Sequence, residues 1–371
     1  MSAVSRRGAA HWGVRGPRPT PALDVLIPTA GRGPELAVTL AGLAAQDDPP
    51  FRVVISDQSE EPVADVPAVQ AMLRVLRAQG RSALVRRHLP RRGMAEQRQY
   101  LLDLADAPHV LFLDDDVWLE PGALARLDDA LHEQRCGFVG YAVQGLSYLD
   151  DVRPDETASF ETWGDGVKPE RVRPGGRAFE RWPLHNAANP AHLAARLRLR
   201  DGDRLPYRIA WVGGCVLFDR RALVDAGGFE FWTALPRGHA GEDRAAQWRV
   251  MERAGGAGIL PSGAVHLEAP TTIVDRRIEA SDILFPDSDR RHPAAEPRTL
   301  RHRKEQVMPE QPNPIQIQKF LGGVDYPADR EQLLRVARES GADQPVLDAL
   351  EAIPDRSYDV PTAVSEAVTG S

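Results

Sequence analysis

Three consecutive aspartates, Asp114, Asp115 and Asp116, directly follow the apolar run HVLFL. The run is short, apolar and rich in residues that favour β-structure, so it predicts a buried strand. Three carboxylates at the end of such a strand repel one another in a poorly hydrated crevice, and they require a compensating cation. Hard divalent cations bind carboxylate oxygen, usually together with substrate phosphates. The aspartate run therefore favours a metal held against a phosphorylated ligand over a solvated acidic turn.

The spacing within the run allows two enzyme classes. Alternation along a strand places Asp114 and Asp116 on one face and Asp115 on the other. One carboxylate of the pair can then bind the metal while the other binds a ribose hydroxyl or a metal-bound water. The sequence DDDV also fits the D-x-D-x-[TV] start of a haloacid-dehalogenase-type phosphatase, with Asp114 as its nucleophile. That class needs a later lysine and a downstream acidic pair, for which we find no convincing candidates, so it stays the second hypothesis.

Other polar residues could join the same chemistry. Asp57 ends the run FRVVISD, where an acid can bind a nucleoside base or ribose, although a turn Asp–Ser pair explains it equally well. Glu242 and Asp243 precede a predicted helix, where acids cap free amides but can also deprotonate an acceptor hydroxyl. His266 lies at the edge of a predicted strand, as either a structural residue or a metal ligand.

Alternating strands and helices position these residues. The apolar runs LDVLIPT, FRVVISD, SALVRRHL and HVLFL predict strands, and amphipathic segments between them predict helices. This alternation predicts an α/β fold with a mostly parallel central sheet and helices on both faces. In such sheets, ligands bind beyond the carboxyl ends of the strands. The loop after the first strand has leucine where the dinucleotide fingerprint needs its third glycine, which excludes a Rossmann cofactor site.

Composition narrows the function classes further. The 371 residues carry a net charge of −7, which argues against a general nucleic-acid-binding role. The two cysteines, Cys136 and Cys215, imply neither a disulfide framework nor a cysteine zinc site. The N-terminus lacks the apolar core of a secretory signal, and no segment is apolar enough to span a bilayer. We therefore expect a cytoplasmic protein.

The sequence pattern divides the chain into four regions. We predict a loose tail over 1–21, a catalytic domain over 22–280 with an irregular insertion at 150–206, a polar linker over 281–313, and a helical module over 314–371. The last module resembles a small bacterial helical domain of unknown function. Its helices leave room for a peripheral membrane contact or a protein contact, and we assign it no active-site residue.

Taken in order, six motifs resemble the inverting nucleotide-sugar glycosyltransferases of family 2, which have the A-type fold. These are LIPTAGR, VVISDQS, RGMAEQRQYLL before FLDDDV, WVGGCVLFDRRALVDAGGF, GED and a later histidine, over roughly residues 22–270. The resemblance implies a nucleoside-diphosphate sugar donor, a divalent cation (Mn²⁺ or Mg²⁺) and a hydroxyl acceptor on a glycan, lipid carrier, protein or small molecule. The Q-x-x-R-W signature of processive synthases is absent, which favours single addition.

The resemblance also implies roles for individual residues. Asp243 matches the catalytic base, with Glu242 as its neighbour, and Asp116 and His266 match the metal site. The remaining matches are expected to bind the nucleotide sugar: Pro28, Thr29, Arg32, Asp57, Gly93, Arg98, Asp114, Asp115, Gly213 and Gly214. Gln99 stands where the family usually has asparagine. A third hypothesis is a non-catalytic sugar-nucleotide-binding protein that keeps this scaffold without turnover.

Overall fold

The computed structural model describes residues 6–14, 19–270, 278–285, 321, 324, 327–342, 344–358, 363–364 and 367–368. The chain divides into two compact units, Met1–Ser288 and Asp289–Ser371. Of the predicted linker, only 281–285 fall within the described residues, and parts of the predicted tail also lie outside them. In the part of the chain that the structure describes, no helix combines the length and the apolar character needed to cross a membrane.

The first unit is built on an eight-stranded sheet. Its strands are β1 (Leu23–Thr29), β2 (Phe51–Asp57), β3 (Ser82–Arg87), β4 (His109–Leu113), β6 (Phe138–Gly140), β7 (Leu205–Tyr207), β8 (Cys215–Asp219) and β9 (Gly256–Leu260). They lie in the order β3-β2-β1-β4-β8-β6-β9-β7, and β7 and β8 run antiparallel to their neighbours. A second, antiparallel sheet pairs β5 (Val117–Leu119) with β10 (Ala264–His266). The mostly parallel central sheet is thus confirmed.

Helices cover both faces of the large sheet. They are α1 (Gly33–Ala44), α2 (Pro67–Ala78), α3 (Met94–Asp103), α4 (Ala123–Gln134), α5 (Asn189–Arg196), α6 (Arg220–Asp225), α7 (Glu242–Ala254) and α8 (Ala280–Leu284). Side chains alternate along each strand, so Val25 and Ile27 pack in one apolar cluster with α1, α2 and α4, whereas Leu26 packs in the other. The second cluster includes residues of α3, α5, α6 and α7. Because β1, β2 and β4 run parallel, the loops that follow them lie at the same edge of the large sheet.

The predicted irregular insertion contains regular pieces. It holds α5 and two short 3₁₀ segments, Asp155–Thr157 and Arg177–His185, and it ends in β7. Because β7 pairs with β9, the end of the insertion forms an edge of the central sheet.

The second unit has a small helical core of its own. It contains α9 (Arg330–Glu339) and α10 (Gln344–Ala352), and a capping box between Asp329 and Gln332 begins α9. Ala328 and Tyr358 form an antiparallel bridge, and Tyr358 packs in an apolar cluster with residues of both helices. The predicted C-terminal helical module is confirmed.

Candidate active site

The aspartate run lies at the junction of the two sheets. It directly follows β4 of the large sheet and precedes β5 of the small one. His266, on β10, pairs in register with Val117, the residue after Asp116. The backbone N–H of Leu267 donates to the Asp116 carbonyl at 2.8 Å, which fixes the chain after β10 against the run. Sheet pairing, rather than proximity in sequence, therefore brings His266 to the aspartates.

Arg32 lies between the second and third aspartates. Its Nη1 is 3.1 Å from Asp115 Oδ1 and 2.5 Å from Asp116 Oδ2, and its Nη2 donates to the Pro270 carbonyl. The Thr29 hydroxyl donates to Asp115 Oδ2 at 2.7 Å. Burial raises the pKa of Asp115 to about 6, although Thr29 and Arg32 act in the opposite direction. Arg32 thus supplies part of the positive charge that three crowded carboxylates require.

Asp116 and His266 are adjacent at this junction. Burial raises the pKa of the Asp116 carboxyl, but the hydrogen bond and charge of His266, together with Arg32, outweigh it, so the net pKa is lowered. His266 Nε2 lies 3.4 Å from Asp116 Oδ2, and the hydrogen bond with Asp116 raises the histidine pKa despite partial burial. The Glu268 N–H donates to His266 Nδ1 at 2.9 Å. The proton that His266 shares with Asp116 therefore lies on Nε2.

Arg98 joins the first aspartate to helix α7. Its Nη2 donates to Asp114 Oδ1 at 3.0 Å, and its Nε donates to Glu242 Oε1 at 2.9 Å. The arginine and glutamate side chains are only 8% and 4% exposed, whereas that of Asp114 is 37% exposed. Burial lowers the pKa of Arg98, but the charges of Asp114 and Glu242 outweigh this and raise it overall. One permanent cation on α3 therefore connects the end of β4 to the start of α7.

Asp243 lies beside this ion pair in the first turn of α7. The backbone N–H of Arg244 donates to its Oδ1 at 2.7 Å. Burial, followed by repulsion from Glu242, raises the pKa of Asp243 to about 6. Asp243, Arg98 and Gly214 line one small cavity. A half-buried carboxylate with this pKa can accept a proton near neutral pH, which is the property that a general base requires.

The predicted glycines have different surroundings. Gly214 has a φ of 75°, its carbonyl accepts the Asp114 N–H at 2.9 Å, and an added Cβ would lie 2.8 Å from Val143 Cγ1. An added Cβ on Gly213 would meet no heavy atom of the described residues within 4 Å. Gly214 thus has no room for a side chain next to the start of the aspartate run, whereas Gly213 borders open space.

Pro28 and Asp57 lie at the ends of β1 and β2, with Pro28 opposite Ser56. The Asp57 carboxylate is fully buried and accepts hydrogen bonds from the backbone of Ser59 at 2.9 Å and Val63 at 3.0 Å, and from Arg87. Burial raises the pKa of Asp57, but the side-chain and backbone hydrogen bonds of Ser59, with those of Arg87 and Val63, outweigh burial and lower the pKa. In this conformation Asp57 holds the loop after β2, and its contact with a base or ribose stays a prediction.

Gln99, which stands where the family usually has asparagine, has contacts typical of a structural residue. Its side-chain oxygen accepts the Phe229 N–H at 2.8 Å, and its amide donates to Asp103 at 2.8 Å. The neighbouring Gln97 is the buried amide of this helix, and it donates to the Ser56 carbonyl at 2.8 Å. Gln99 thus anchors the segment before Phe229, while Gln97 ties α3 to β2.

His239 is a buried residue of this region that sequence reasoning missed. Its Nδ1 donates to the Pro236 carbonyl at 2.7 Å, and its Nε2 accepts the Ala95 N–H at 3.2 Å, at the start of α3. Gly93, with a φ of 113°, packs so closely that an added Cβ would lie 2.6 Å from the ring. In the sequence, the only signs of this contact are a glycine at the start of α3 and a histidine two residues before the motif GED. His239 links the helix of Arg98 to the segment that leads into Asp243.

Replacing His239 with alanine is expected to destabilise the protein by about 2 kcal/mol, because the buried Ala95 N–H loses its acceptor. Urea denaturation of the full chain measures this change. The control is His11→Ala, which removes an exposed ring. Equal midpoints for the His239 variant and the unaltered protein would show that the ring does not connect these two segments.

Comparisons with known proteins match the two units separately. The model described as Glycosyl transferase family 2 matches residues 24–209, and the one described as Protein of unknown function (DUF2795) matches 312–365. No curated protein matches the chain.

Several solved structures are similar at low identity. TarS 1-349 from S. aureus is 14% identical with a TM-score of 0.42, covering 66% of this chain and 60% of that chain. The same protein in complex with UDP-GlcNAc is 13% identical with a TM-score of 0.42, covering 89% and 70%. The mannosyltransferase PcManGT from Pyrobaculum calidifontis, in complex with GDP-Man and Mn²⁺, is 17% identical with a TM-score of 0.42, covering 72% and 64%. The chain thus spans about three-fifths of the first of these.

The family match covers half of the chain. It includes strands β1 to β4, the aspartate run and helix α3 with Arg98. The chain therefore belongs to glycosyl transferase family 2, with the A-type glycosyltransferase fold.

Proposed function

We propose that this glycosyltransferase moves a single sugar from a nucleoside-diphosphate sugar to an acceptor hydroxyl, with inversion and with the help of a divalent cation. Family membership favours a transferase over the phosphatase that the aspartate run left open. The observation that carries the finer proposal is the junction formed by the aspartate run, Arg98, His266 and Asp243 at one edge of the sheet. Because the family match ends at residue 209, the roles of Asp243 and His266 rest on this geometry.

The donor atoms at the junction fit a divalent cation. Asp116 offers a carboxylate oxygen and His266 an imidazole nitrogen, 3.4 Å apart, and a cation with two protein ligands can complete its coordination with diphosphate oxygens. In the structure Arg32 and the Nε2 proton of His266 face the same carboxylate. Both must leave Asp116 for the cation to bind there.

Residues of the chain then have separate roles in the reaction. Asp243 accepts the proton of the acceptor hydroxyl, whose oxygen forms a bond to the anomeric carbon from the face opposite the diphosphate. The bond between that carbon and the phosphate oxygen breaks, and its electron pair leaves with the nucleoside diphosphate. When bound, the divalent cation neutralises charge on this leaving group. Arg98 holds Glu242 and Asp114 so that Asp243 stays beside the donor site.

The proposal is tested by incubating the full chain with a panel of UDP- and GDP-sugars, with and without Mn²⁺ or Mg²⁺. We expect release of nucleoside diphosphate from one donor, dependent on the cation and lost in Asp116→Asn. The control Asp225→Asn changes an exposed acid on α6 and is expected to keep this activity. NMR of the product reports the anomeric configuration. Retained configuration, or cation-independent transfer, would contradict the mechanism, and a phosphorylated Asp114 would restore the phosphatase hypothesis.

Replacing Arg32 with glutamine is expected to tighten Mn²⁺ binding roughly fivefold, since the change removes a competing ion pair worth about 1 kcal/mol. The measurement is the electron paramagnetic resonance of free Mn²⁺ during titration without nucleotide. Arg87→Gln is the matched control, because this arginine pairs with Asp57 instead. Weaker Mn²⁺ binding in Arg32→Gln would mean that Arg32 supports the cation site rather than competes with it.

A further inference from the structure

A second cluster of metal-ligating side chains lies at the opposite end of β4. His109 is the first residue of this strand, and Asp128 and His132 lie on α4. One nitrogen from each ring and one oxygen of Asp128 lie within 4.8 Å of one another. The strand separates this cluster from the aspartate run by roughly 16 Å, at about 3.3 Å per residue. The cluster therefore belongs to a different place in the fold.

Two elements of the fold preorganise the three side chains. Residues four apart on a helix share a face, so Asp128 and His132 project together. His109 Nδ1 lies 2.8 Å from Asp128 Oδ1, and His132 Nδ1 lies 3.7 Å from Asp128 Oδ2. The two imidazole rings meet edge to face with their centroids 4.9 Å apart. The three side chains are thus already gathered, and a change in the His132 side-chain conformation would turn a free ring nitrogen toward the other two donors.

The charge environment distinguishes Asp128 from its neighbours on α4. Within the described part of the chain, the two histidines are the only ion-pair partners of this carboxylate, which is 16% exposed. By contrast, Asp129 and Glu133 both pair with Arg204. The Nδ1 of His132 is 2.8 Å from the Asp128 carbonyl, so a neutral ring donates there and keeps a lone pair on Nε2. Because no arginine of the described residues pairs with Asp128, its carboxylate and the two imidazoles can all donate to a metal ion.

We propose that His109, Asp128 and His132 bind a divalent transition-metal ion of the zinc class. Two imidazoles and one carboxylate suit Zn²⁺, Co²⁺ or Ni²⁺ better than Mg²⁺ or Ca²⁺, which prefer oxygen donors. The His132 side chain is 64% exposed, so the ion has a path from solvent. Three protein ligands leave one position of a tetrahedral zinc ion for water. The ion ties the beginning of β4 to α4 and so stabilises the fold, away from the proposed chemistry at Asp243.

The test measures zinc binding by calorimetry on the full, metal-stripped chain without nucleotide. A His266→Ala background removes the imidazole of the aspartate junction, so that the second cluster is measured by itself. We expect one zinc ion per chain and a loss of affinity of at least roughly tenfold in His132→Ala and in Asp128→Asn. The matched controls Asp129→Asn and His11→Ala, which change exposed groups, keep the affinity.

Two further readouts separate a metal site from a hydrogen-bonded cluster. Co²⁺ added to the same background is expected to give visible d–d absorption, which disappears in His132→Ala. Zinc is expected to raise the melting temperature of the background protein but not that of His132→Ala. Because His132 is exposed, its substitution leaves the fold intact. The proposal would be overturned if the background protein showed no saturable zinc binding. It would also be overturned if His132→Ala and Asp128→Asn bound zinc as tightly as the background protein does.

Discussion

Replacing Asp243 with asparagine is expected to lower kcat by roughly 100- to 10,000-fold, the usual contribution of a general base. Asparagine has nearly the same shape and keeps an oxygen that can accept the Arg244 N–H, so the first turn of α7 stays in place. It cannot take a proton from an acceptor hydroxyl. Binding of nucleoside diphosphate, measured by calorimetry, is therefore expected to stay unchanged while turnover falls.

The pH dependence provides a second measurement of the same role. A general base works only when it is unprotonated, and burial next to Glu242 raises the pKa of Asp243 to about 6. We therefore expect kcat to fall as the pH drops through about 6 and to level off above it. A kcat profile without this acidic limb, or an Asp243→Asn variant with ordinary turnover, would mean that another group takes the proton.

Much of the central sheet could be predicted because its signals are local. The runs that became β1, β2 and β4 are short, apolar and followed by turns, and the structure confirms a mostly parallel sheet. The order of the strands in the second half could not be read in the same way. β8 is inserted antiparallel between β4 and β6, and β7 returns from an insertion that has no clear period. Those pairings depend on long-range packing, which a single sequence does not encode as a pattern.

The candidate site shows the same division between local and distant information. The aspartate run was recognisable since it follows an apolar strand, but the partners of its members come from distant segments. Arg32 reaches Asp116 across 84 residues of chain, and Arg98 reaches Glu242 across 144. His239 gave only a weak signal, because one buried imidazole resembles any core histidine until its two hydrogen bonds are seen. Ion-pair networks of this kind appear only when the fold brings the elements together.

Replacing Arg98 with methionine is expected to cost about 3–5 kcal/mol of folding free energy, the usual effect of removing one partner from a buried ion pair. Methionine fills similar volume but leaves the Glu242 carboxylate buried without a cation, beside Asp114 and Asp243. The charge of Arg98 also holds down the pKa of Asp243. The acidic limb of the kcat profile is therefore expected to move to higher pH. Urea denaturation and the pH profile measure the two effects.

A matched arginine separates the stability effect from the catalytic one. Arg52 forms a comparable ion pair with the buried Asp24, 2.7 Å from Nη2, at the amino ends of the strands. Arg52→Met is expected to lose folding free energy as well, but to leave the acidic limb of the kcat profile where it was. In the double variant Arg98→Met/Glu242→Gln, residue 242 no longer carries a buried charge without a cation, so part of the folding free energy is expected to return.

If Arg98→Met shifted the acidic limb no more than Arg52→Met does, Arg98 would be a structural cation that does not change the pKa of the base. A shift confined to Arg98→Met would instead indicate that the same guanidinium that holds α3, β4 and α7 together also sets the pH at which Asp243 can accept a proton.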